Sequence, residues 1–300
     1  MKILGINISH NPSICQVTDG KVDFYIEEDR IRREKYWVPW GDDNFYYSIE
    51  KYVKEKPDHV IIASYDRYFH SEEYLFGADK KICDSISNGL NQPVHFFKTY
   101  HHIYHVKTAF HLSKFDEAIV VVMDAGGGQE FPMYQEIESI YLINKETWQR
   151  KYLHASCIRH IEQWKLMSPP KKEFIMNDCD IVLSTEKSMA YKFSDMAERY
   201  QLEHSGLEAG KIMGMASYPE FEEPYKLQKQ STEYTIELLK KAIGYSDCKN
   251  IVLSGGYALN CVTNYELVKA FPKHNFFVDP IAHDGGTAMG AALWMYDTNK

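Results

Sequence analysis

The residue types best suited to chemistry gather at a few points of the chain, beginning with His101-His102-Ile103-Tyr104-His105. His101 and His105 stand four apart, so on a helix both rings share one face, about 5–6 Å apart at Cβ. Two imidazoles so placed can grip one metal ion, although solvent-facing histidines at a helix start have the same spacing. A carboxylate, Asp124, ends the apolar run Val120-Val121-Val122-Met123 and is followed by Ala125 and the glycines 126 to 128. Ligands of open α/β sheets bind at the carboxyl ends of strands, and a glycine run lets a ligand approach the backbone. Asp284, in His283-Asp284-Gly285-Gly286, precedes a small-residue run, where it can act as a helix N-cap or as a further metal ligand.

Three other stretches share this character. Leu253-Ser254-Gly255-Gly256-Tyr257-Ala258-Leu259-Asn260 reads as a strand, glycines and a helix start, a geometry that turns amides toward an anion or nucleotide. It is neither a Walker loop nor a GxGxxG fingerprint. In Ser205-Gly206-Leu207-Glu208-Ala209-Gly210-Lys211, Glu208 and Lys211 share a helix face, as an exposed ion pair of little energy or as part of a site. His10, in the loop Ser9–Pro12 after the first apolar run, is an ordinary loop histidine or a general base.

These residues need strands and helices to position them. Apolar runs predict strands over 2–8, 13–18, 21–27, 60–64, 94–97, 118–124, 250–254 and 275–278, with Asp19-Gly20 as a hairpin turn. A second hairpin is expected for 134–144 and 147–154 around Lys145-Glu146. Helices are expected over 43–55, 102–112, 185–201, 208–217, 229–243, 257–269 and 285–296. Residues 155–183, with Pro169-Pro170, read as a loop-rich excursion. Strands that run into glycines and then helices indicate α/β architecture. No internal repeat is visible in the residues themselves.

Composition sets limits on function. With 300 residues there is room for one large domain or two lobes. A formal net charge of -8 disfavours nucleic-acid binding by counterion release. Six cysteines at 15, 83, 157, 179, 248 and 261 form no CxxC pair and read as reduced thiols of a cytoplasmic protein. The start, MKILGINISH, lacks the apolar core of a signal peptide, and no run approaches the length of a membrane helix.

Taken in order, the stretches GINISHNPSICQVTDGKV, IEEDRIRREKY, HHIYHVKTAFHLSKFDEAIVVVMDAGGG, LEAGKIMGMASY, LSGGYALNCVTN and HDGGTAMGAA resemble the carbamoyltransferase family of nodulation-factor, cephamycin and tobramycin O-carbamoyltransferases. They span residues 4 to 293. The family's transfer domain is similar to the protein that attaches threonylcarbamoyl to tRNA. The resemblance implies an actin-like ATPase (ASKHA, ribonuclease H-like) duplicated fold, with two related lobes around a cleft. It implies metal ligands at His101, His105, Asp124 and Asp284, a set that suits iron, zinc or manganese. It implies an adenylate held by Gly255, Gly256 and Asn260 with Glu208 and Lys211 nearby, His10 as general base, and Arg30, Arg33 and Lys35 as basic positions that can meet phosphate.

The implied reaction makes carbamoyl adenylate from carbamoyl phosphate and ATP, then passes the carbamoyl group to an acceptor hydroxyl. Family members are nearly twice as long, with a YrdC-like domain that makes the adenylate. The expectation is therefore a single transfer domain over residues 1–300 that lacks the activating domain and works with a YrdC-like domain or chain. A small-molecule or sugar-like hydroxyl is the expected acceptor, ahead of a hydroxymethylated nucleic acid, and no membrane is involved. Threonylcarbamoyl transfer to tRNA and a non-catalytic actin-like scaffold are the alternatives.

Overall fold

The apolar runs at the start of the chain pair as their turn residues demand. The computed structural model describes residues 1–37, 46–63, 78–97, 100–128, 131, 134–157 and 171–300. The chain divides into two compact units, the first Met1–Thr108 with His283–Lys300 and the second Ala109–Ala282. In the first unit, β1 (Lys2–Asn7), β2 (Ser13–Thr18) and β3 (Lys21–Glu27) form an antiparallel meander. Asp19 and Gly20 join β2 to β3 with φ of 48° and 75°, the pair of positive angles that a two-residue hairpin turn requires. Two parallel strands, β4 (His59–Ala63) and β5 (Val94–Phe96), continue from β1, giving the order β3-β2-β1-β4-β5 among the described residues. Both β1 and β4 are buried almost throughout, which explains their continuous apolar runs.

Among the described residues, four helices belong wholly or partly to this stretch: α1 (Glu28–Arg32), α2 (Tyr46–Tyr52), α3 (Ala78–Leu90) and α4 (His101–Ser113). Ile49 of α2 and Ile82 and Ile86 of α3 pack on Leu4, Ile6, Val60 and Ile62. Helix α3 was not anticipated. Ile82, Cys83 and Ile86 carry its helical spacing, but weak formers such as Asp84, Ser85 and Asn88 dilute the pattern. The expected helix at 43–55 is seen as α2, and its residues 43–45 lie outside the described residues.

The second unit repeats the arrangement of the first. Strands β6 (Glu117–Met123), β7 (Tyr134–Asn144) and β8 (Trp148–Cys157) form the meander. A hairpin of β9 (Lys171–Met176) and β10 (Cys179–Ser184) joins beyond β8, while β11 (Asn250–Ser254) and β12 (Asn275–Val278) run parallel beside β6. The sheet order is β12-β11-β6-β7-β8-β10-β9 among the described residues. Read from the meander outward, the core of this sheet has the connectivity of the first, so the repeat unseen in the residues exists in topology. The expected loop at 155–183 is corrected by β9 and β10. Their turn is Asn177-Asp178 with φ of 50° and 58°, a left-handed pair without the glycine that usually signals it. Residues 158–170, including Pro169-Pro170, lie outside the described residues.

Helices α5 (Met189–Arg199), α6 (Ala209–Met215), α7 (Glu222–Gly244) and α8 (Cys261–Ala270) belong to this unit. Phe193 and Met196 of α5 and Leu238 and Leu239 of α7 pack with Ile119, Val121, Ile140 and Leu253. The helix expected over 257–269 is divided: a 3-10 turn covers Gly256–Leu259, and Asn260 then caps α8 by accepting from the Thr263 amide at 3.2 Å.

The chain returns to the first unit for α9 (Thr287–Asn299). A Cβ on Gly290 would lie 1.8 Å from the Tyr104 carbonyl oxygen of α4. A Cβ on Gly5 of β1 would lie 2.0 Å from the Ala288 carbonyl oxygen. Backbone therefore touches backbone on both sides of α9, and no rotamer change can relieve an added methyl. Gly290→Ala should lower stability by about 1–3 kcal/mol. Gly214→Ala, where nothing lies within 4 Å of the new Cβ, should raise it by about 0.5–1 kcal/mol. Urea unfolding of both variants reads the contrast, and equal effects would refute the close packing.

Candidate metal centre

Helix α4 begins at His101, and the helical spacing puts the His101 and His105 rings together with centroids 4.8 Å apart. Their Nε2 atoms are 3.2 Å apart, and both residues are buried. Asp284 lies in a 3-10 turn ahead of α9, with Oδ1 at 3.5 Å from His101 Nε2 and 3.7 Å from His105 Nε2. The cap of that turn is His283, whose Nδ1 accepts from the Gly285 amide at 3.1 Å. The capping reading of Asp284 is thereby replaced: its carboxylate points at the histidines.

Its second oxygen is held as well. Asp284 Oδ2 accepts from Ser9 Oγ at 3.1 Å and lies 3.5 Å from His10 Nδ1. Asn7, at the end of β1, shapes that loop by accepting from the Ser9 amide and donating to the Asn11 carbonyl. On the other side, Ser13 donates to the Gly285 carbonyl at 2.6 Å and Thr108 to that of Gly286 at 2.7 Å. Burial is the largest influence on the Asp284 carboxyl and pushes it up. The charges of His10 and His101 and the hydrogen bonds of His101 and His105 outweigh it and hold the carboxyl well below the usual range.

The donor set fits a first-row metal. An ion bound about 2.1 Å from each ligand separates neighbouring ligand atoms by roughly 3.0–3.4 Å. The distances 3.2, 3.5 and 3.7 Å stand close to that range. Two imidazole nitrogens and a carboxylate oxygen are also the chemistry that iron, zinc or manganese takes.

The second unit holds the remaining predicted residues. Asp124 follows β6 and is buried; its amide donates to the Ile137 carbonyl at 2.9 Å, and its Oδ1 accepts from the Ala125 amide at 2.7 Å. The Gly127 and Glu136 amides continue the pairing with β7. Gly255 has φ of 85°, and a Cβ there would lie 2.2 Å from the Met123 carbonyl oxygen, so this turn needs glycine twice over. A Cβ on Gly256 would stand 3.6 Å from Asp124 Oδ1. The Gly255-Gly256 turn and the Asp124 carboxylate thus share one sheet edge within this unit. Asn260 is buried and occupied, donating to Gln228 Oε1 at 2.9 Å besides capping α8. Lys211 pairs with Glu208, which also accepts from the His204 amide at 3.1 Å. Among the other basic positions, the exposed Arg30 pairs with Glu27 and Asp29, and Arg33 ends α1 in the left-handed conformation.

Sequence reasoning missed the groups that support this centre. Ser9 sits beside the predicted His10 and could have been read as its partner. Glu27 of β3 gave no signal. It accepts from Tyr25 at 2.9 Å and faces His283 Nε2 at 3.3 Å. The hydrogen bond of His283 is the main reason its carboxyl falls to about 2, helped by Tyr25 and Arg30 against burial. A carboxyl depressed in the folded state contributes stability above its unfolded pKa and loses it as pH falls through the folded value. Glu27→Gln should therefore cost on the order of 1–2 kcal/mol near neutral pH, after allowance for solvent screening. That difference from the wild type should vanish as pH falls from 4.5 toward about 2. Denaturant unfolding across that range checks it, and a pH-independent difference would refute it.

Residues 184–293 match the family model for the carbamoyltransferase N-terminus. The chain is 24% identical to the nodulation protein NolNO of Sinorhizobium fredii, over 95% of this chain and 46% of that protein. It is 27% identical to the uncharacterized protein MJ1051 of Methanocaldococcus jannaschii, over 97% of this chain and 56% of that one. The chain spans about half the length of these curated relatives. Among solved structures it is similar to full-length HypF in a phosphate- and nucleotide-bound form, with a TM-score of 0.58 and 12% identity over 99% of this chain and 55% of HypF. It is similar also to the ROK hexokinase of Thermus thermophilus, with a TM-score of 0.55 and 12% identity over 100% of both chains. At such identity these structures show the fold alone, which is that of the actin-like ATPases, with two mixed α/β sheets. No helix among the described residues is long and apolar enough to cross a membrane. Residues 184–293 of this chain thus match the carbamoyltransferase N-terminus, and over most of its length the chain is distantly similar to NolNO.

Proposed function

We propose that this chain transfers a carbamoyl group from carbamoyl adenylate to an acceptor hydroxyl, with a metal held by His101, His105, Asp284 and Asp124. The observation that carries the reading is the convergence of His101, His105 and Asp284 at 3.2–3.7 Å in a chain with a carbamoyltransferase N-terminal region. Asp124 is assigned as the fourth ligand from the family resemblance and from its place at the end of a buried strand. When bound, the metal supplies a Lewis acid for the carbonyl or phosphoryl oxygen; iron, zinc and manganese all suit the ligands.

His10 is assigned as general base. Its side chain is 30% exposed and its Nδ1 faces Asp284 Oδ2. An imidazole that is part-exposed and oriented by a carboxylate can take the acceptor's proton. The hydroxyl oxygen bonds to the carbamoyl carbon, the bond from that carbon to the adenylate oxygen breaks, and AMP leaves. Gly255, Gly256, Asn260, Glu208 and Lys211 are assigned to the adenylate side. For Asn260 this assignment is confined to its backbone surroundings, because its amide already binds Thr263 and Gln228. Activation of carbamoyl phosphate by ATP is assigned to a YrdC-like domain or partner, and a small or sugar-like hydroxyl is the acceptor.

Purified protein should hold one first-row divalent metal per chain, and His101→Ala with His105→Ala should lower its affinity at least about tenfold. Elemental analysis and metal titration decide this, and a wild type that takes up no iron, zinc or manganese would overturn the site. His10→Ala should keep the metal and lose about 10²–10⁴ in kcat. Carbamoyl adenylate mixed with sugar alcohols or with tRNA separates the acceptors; carbamate formed only on tRNA would defeat the hydroxyl-acceptor reading.

A further inference from the structure

A buried polar chain runs through the second unit, apart from the predicted residues. Glu138 of β7 and His154 of β8 stand directly opposite in the strand register, both buried. His154 Nδ1 lies 2.9 Å from Glu138 Oε2, and its Nε2 lies 2.8 Å from Ser184 Oγ at the end of β10. Tyr234 of α7 donates its hydroxyl to the same Oε2. An ionised carboxylate can only accept, so Nδ1 carries the imidazole proton and Nε2 accepts from the Ser184 hydroxyl. Burial first, and then the Glu138 charge, raise the Tyr234 phenol, which keeps it a donor.

The order Ser-His-Glu is that of a hydrolase triad, but its direction is wrong for one. Ser184 is 1% accessible and is not among the residues of the pocket that Glu138 and Tyr234 line. Both donors converge on Oε2, and Oε1 receives no hydrogen bond among the described residues. Glu138 lines a pocket with Met123, Asp124, Tyr234, Thr235 and Tyr257, which has room for about one water-sized group. No Lys or Arg lies among the described lining residues. Thr235 already donates to the Ser231 carbonyl, and the Tyr257 hydroxyl pairs with Thr263. The pocket is therefore built for one small N–H donor beside Asp124.

We infer that Glu138 Oε1 accepts a hydrogen bond from the NH2 of the carbamoyl donor and so selects a carbamoyl over an acetyl group. The inference rests on the transfer reading above, which sets that donor beside Asp124. A carbamoyl and an acetyl group differ only by NH2 against CH3, which are nearly equal in size, so shape cannot separate them. A buried acceptor can, because a methyl leaves the carboxylate without a partner. His154, Ser184 and Tyr234 are positioning residues that keep the other oxygen occupied.

Analogues of carbamoyl and acetyl adenylate in which CH2 replaces the oxygen between the carbonyl carbon and phosphorus are stable mimics of the donor that differ by the same NH2 and CH3. Calorimetric titration of the full chain should show the amide bound at least about tenfold more tightly. In Glu138→Gln, the Tyr234 and His154 donors hold the amide oxygen, which turns the new NH2 into the pocket. That variant should bring the two affinities within about threefold by weakening the amide alone. Should Glu138→Gln fail to fold, Tyr234→Phe reads the same ratio and should lower it at least about threefold. A wild type that binds both mimics alike, or neither, overturns the assignment, as does a preference untouched by these variants or an equal loss of both ligands. Rates from carbamoyl and acetyl adenylate complete the test. A Glu138-dependent binding preference without any transfer to an alcohol leaves Glu138 standing and removes the transfer reading.

Discussion

The first unit depends on one close approach, the backbone of α9 against α4 and β1 with no space for a methyl at Gly290 or Gly5. Small residues along α9 permit it, and hydroxyls fix it, with Ser13 and Thr108 binding the carbonyls of Gly285 and Gly286. That approach places Asp284 against His101 and His105. The carboxylate is buried, which alone is costly. Imidazoles on one oxygen and Ser9 and His10 on the other offset the cost, and the same arrangement leaves ligand atoms at spacings that a metal can bridge.

The repeated sheet connectivity explains where the candidate site residues lie. In each unit the first strand of the meander has a parallel neighbour and leads to a polar residue, Asn7 at the end of β1 and Asp124 just after β6. Asn7 shapes the loop that carries Ser9 and His10. Asp124 leads into a glycine run and lies beside the Gly255-Gly256 turn of β11. One topology used twice thus makes two edges of different character, one rich in imidazole and the other rich in backbone and carboxylate. The second sheet is extended by β9 and β10, and Ser184 on β10 completes the chain of hydrogen bonds that fixes Glu138.

Much of the local structure was legible. The Asp19-Gly20 turn, the apolar strands and the helical spacing of His101 and His105 depend on neighbours in sequence, and each formed as read. The β9–β10 hairpin was not, since Asn177-Asp178 takes positive φ without a glycine to announce it. Helix α3 was missed because its apolar residues are few. Glu138, His154, Ser184 and Tyr234 are scattered over 97 positions, and only sheet register and the packing of α7 bring them together.

The sequence by itself determined the candidate ligand types, the helical pairing of the histidines, the strand ends beside glycines and the resemblance to a family. These follow from local geometry and from motifs that stay contiguous. Only the tertiary structure decided that Asp284 turns to the histidines and leaves the cap to His283, that Asn260 is engaged in holding α8, and that Glu138 carries an oxygen with no protein partner among the described residues. The physical reason is common to all three. A polar side chain's role is set by which donors and acceptors reach it once water has been excluded, and those partners come from elements far apart in the chain.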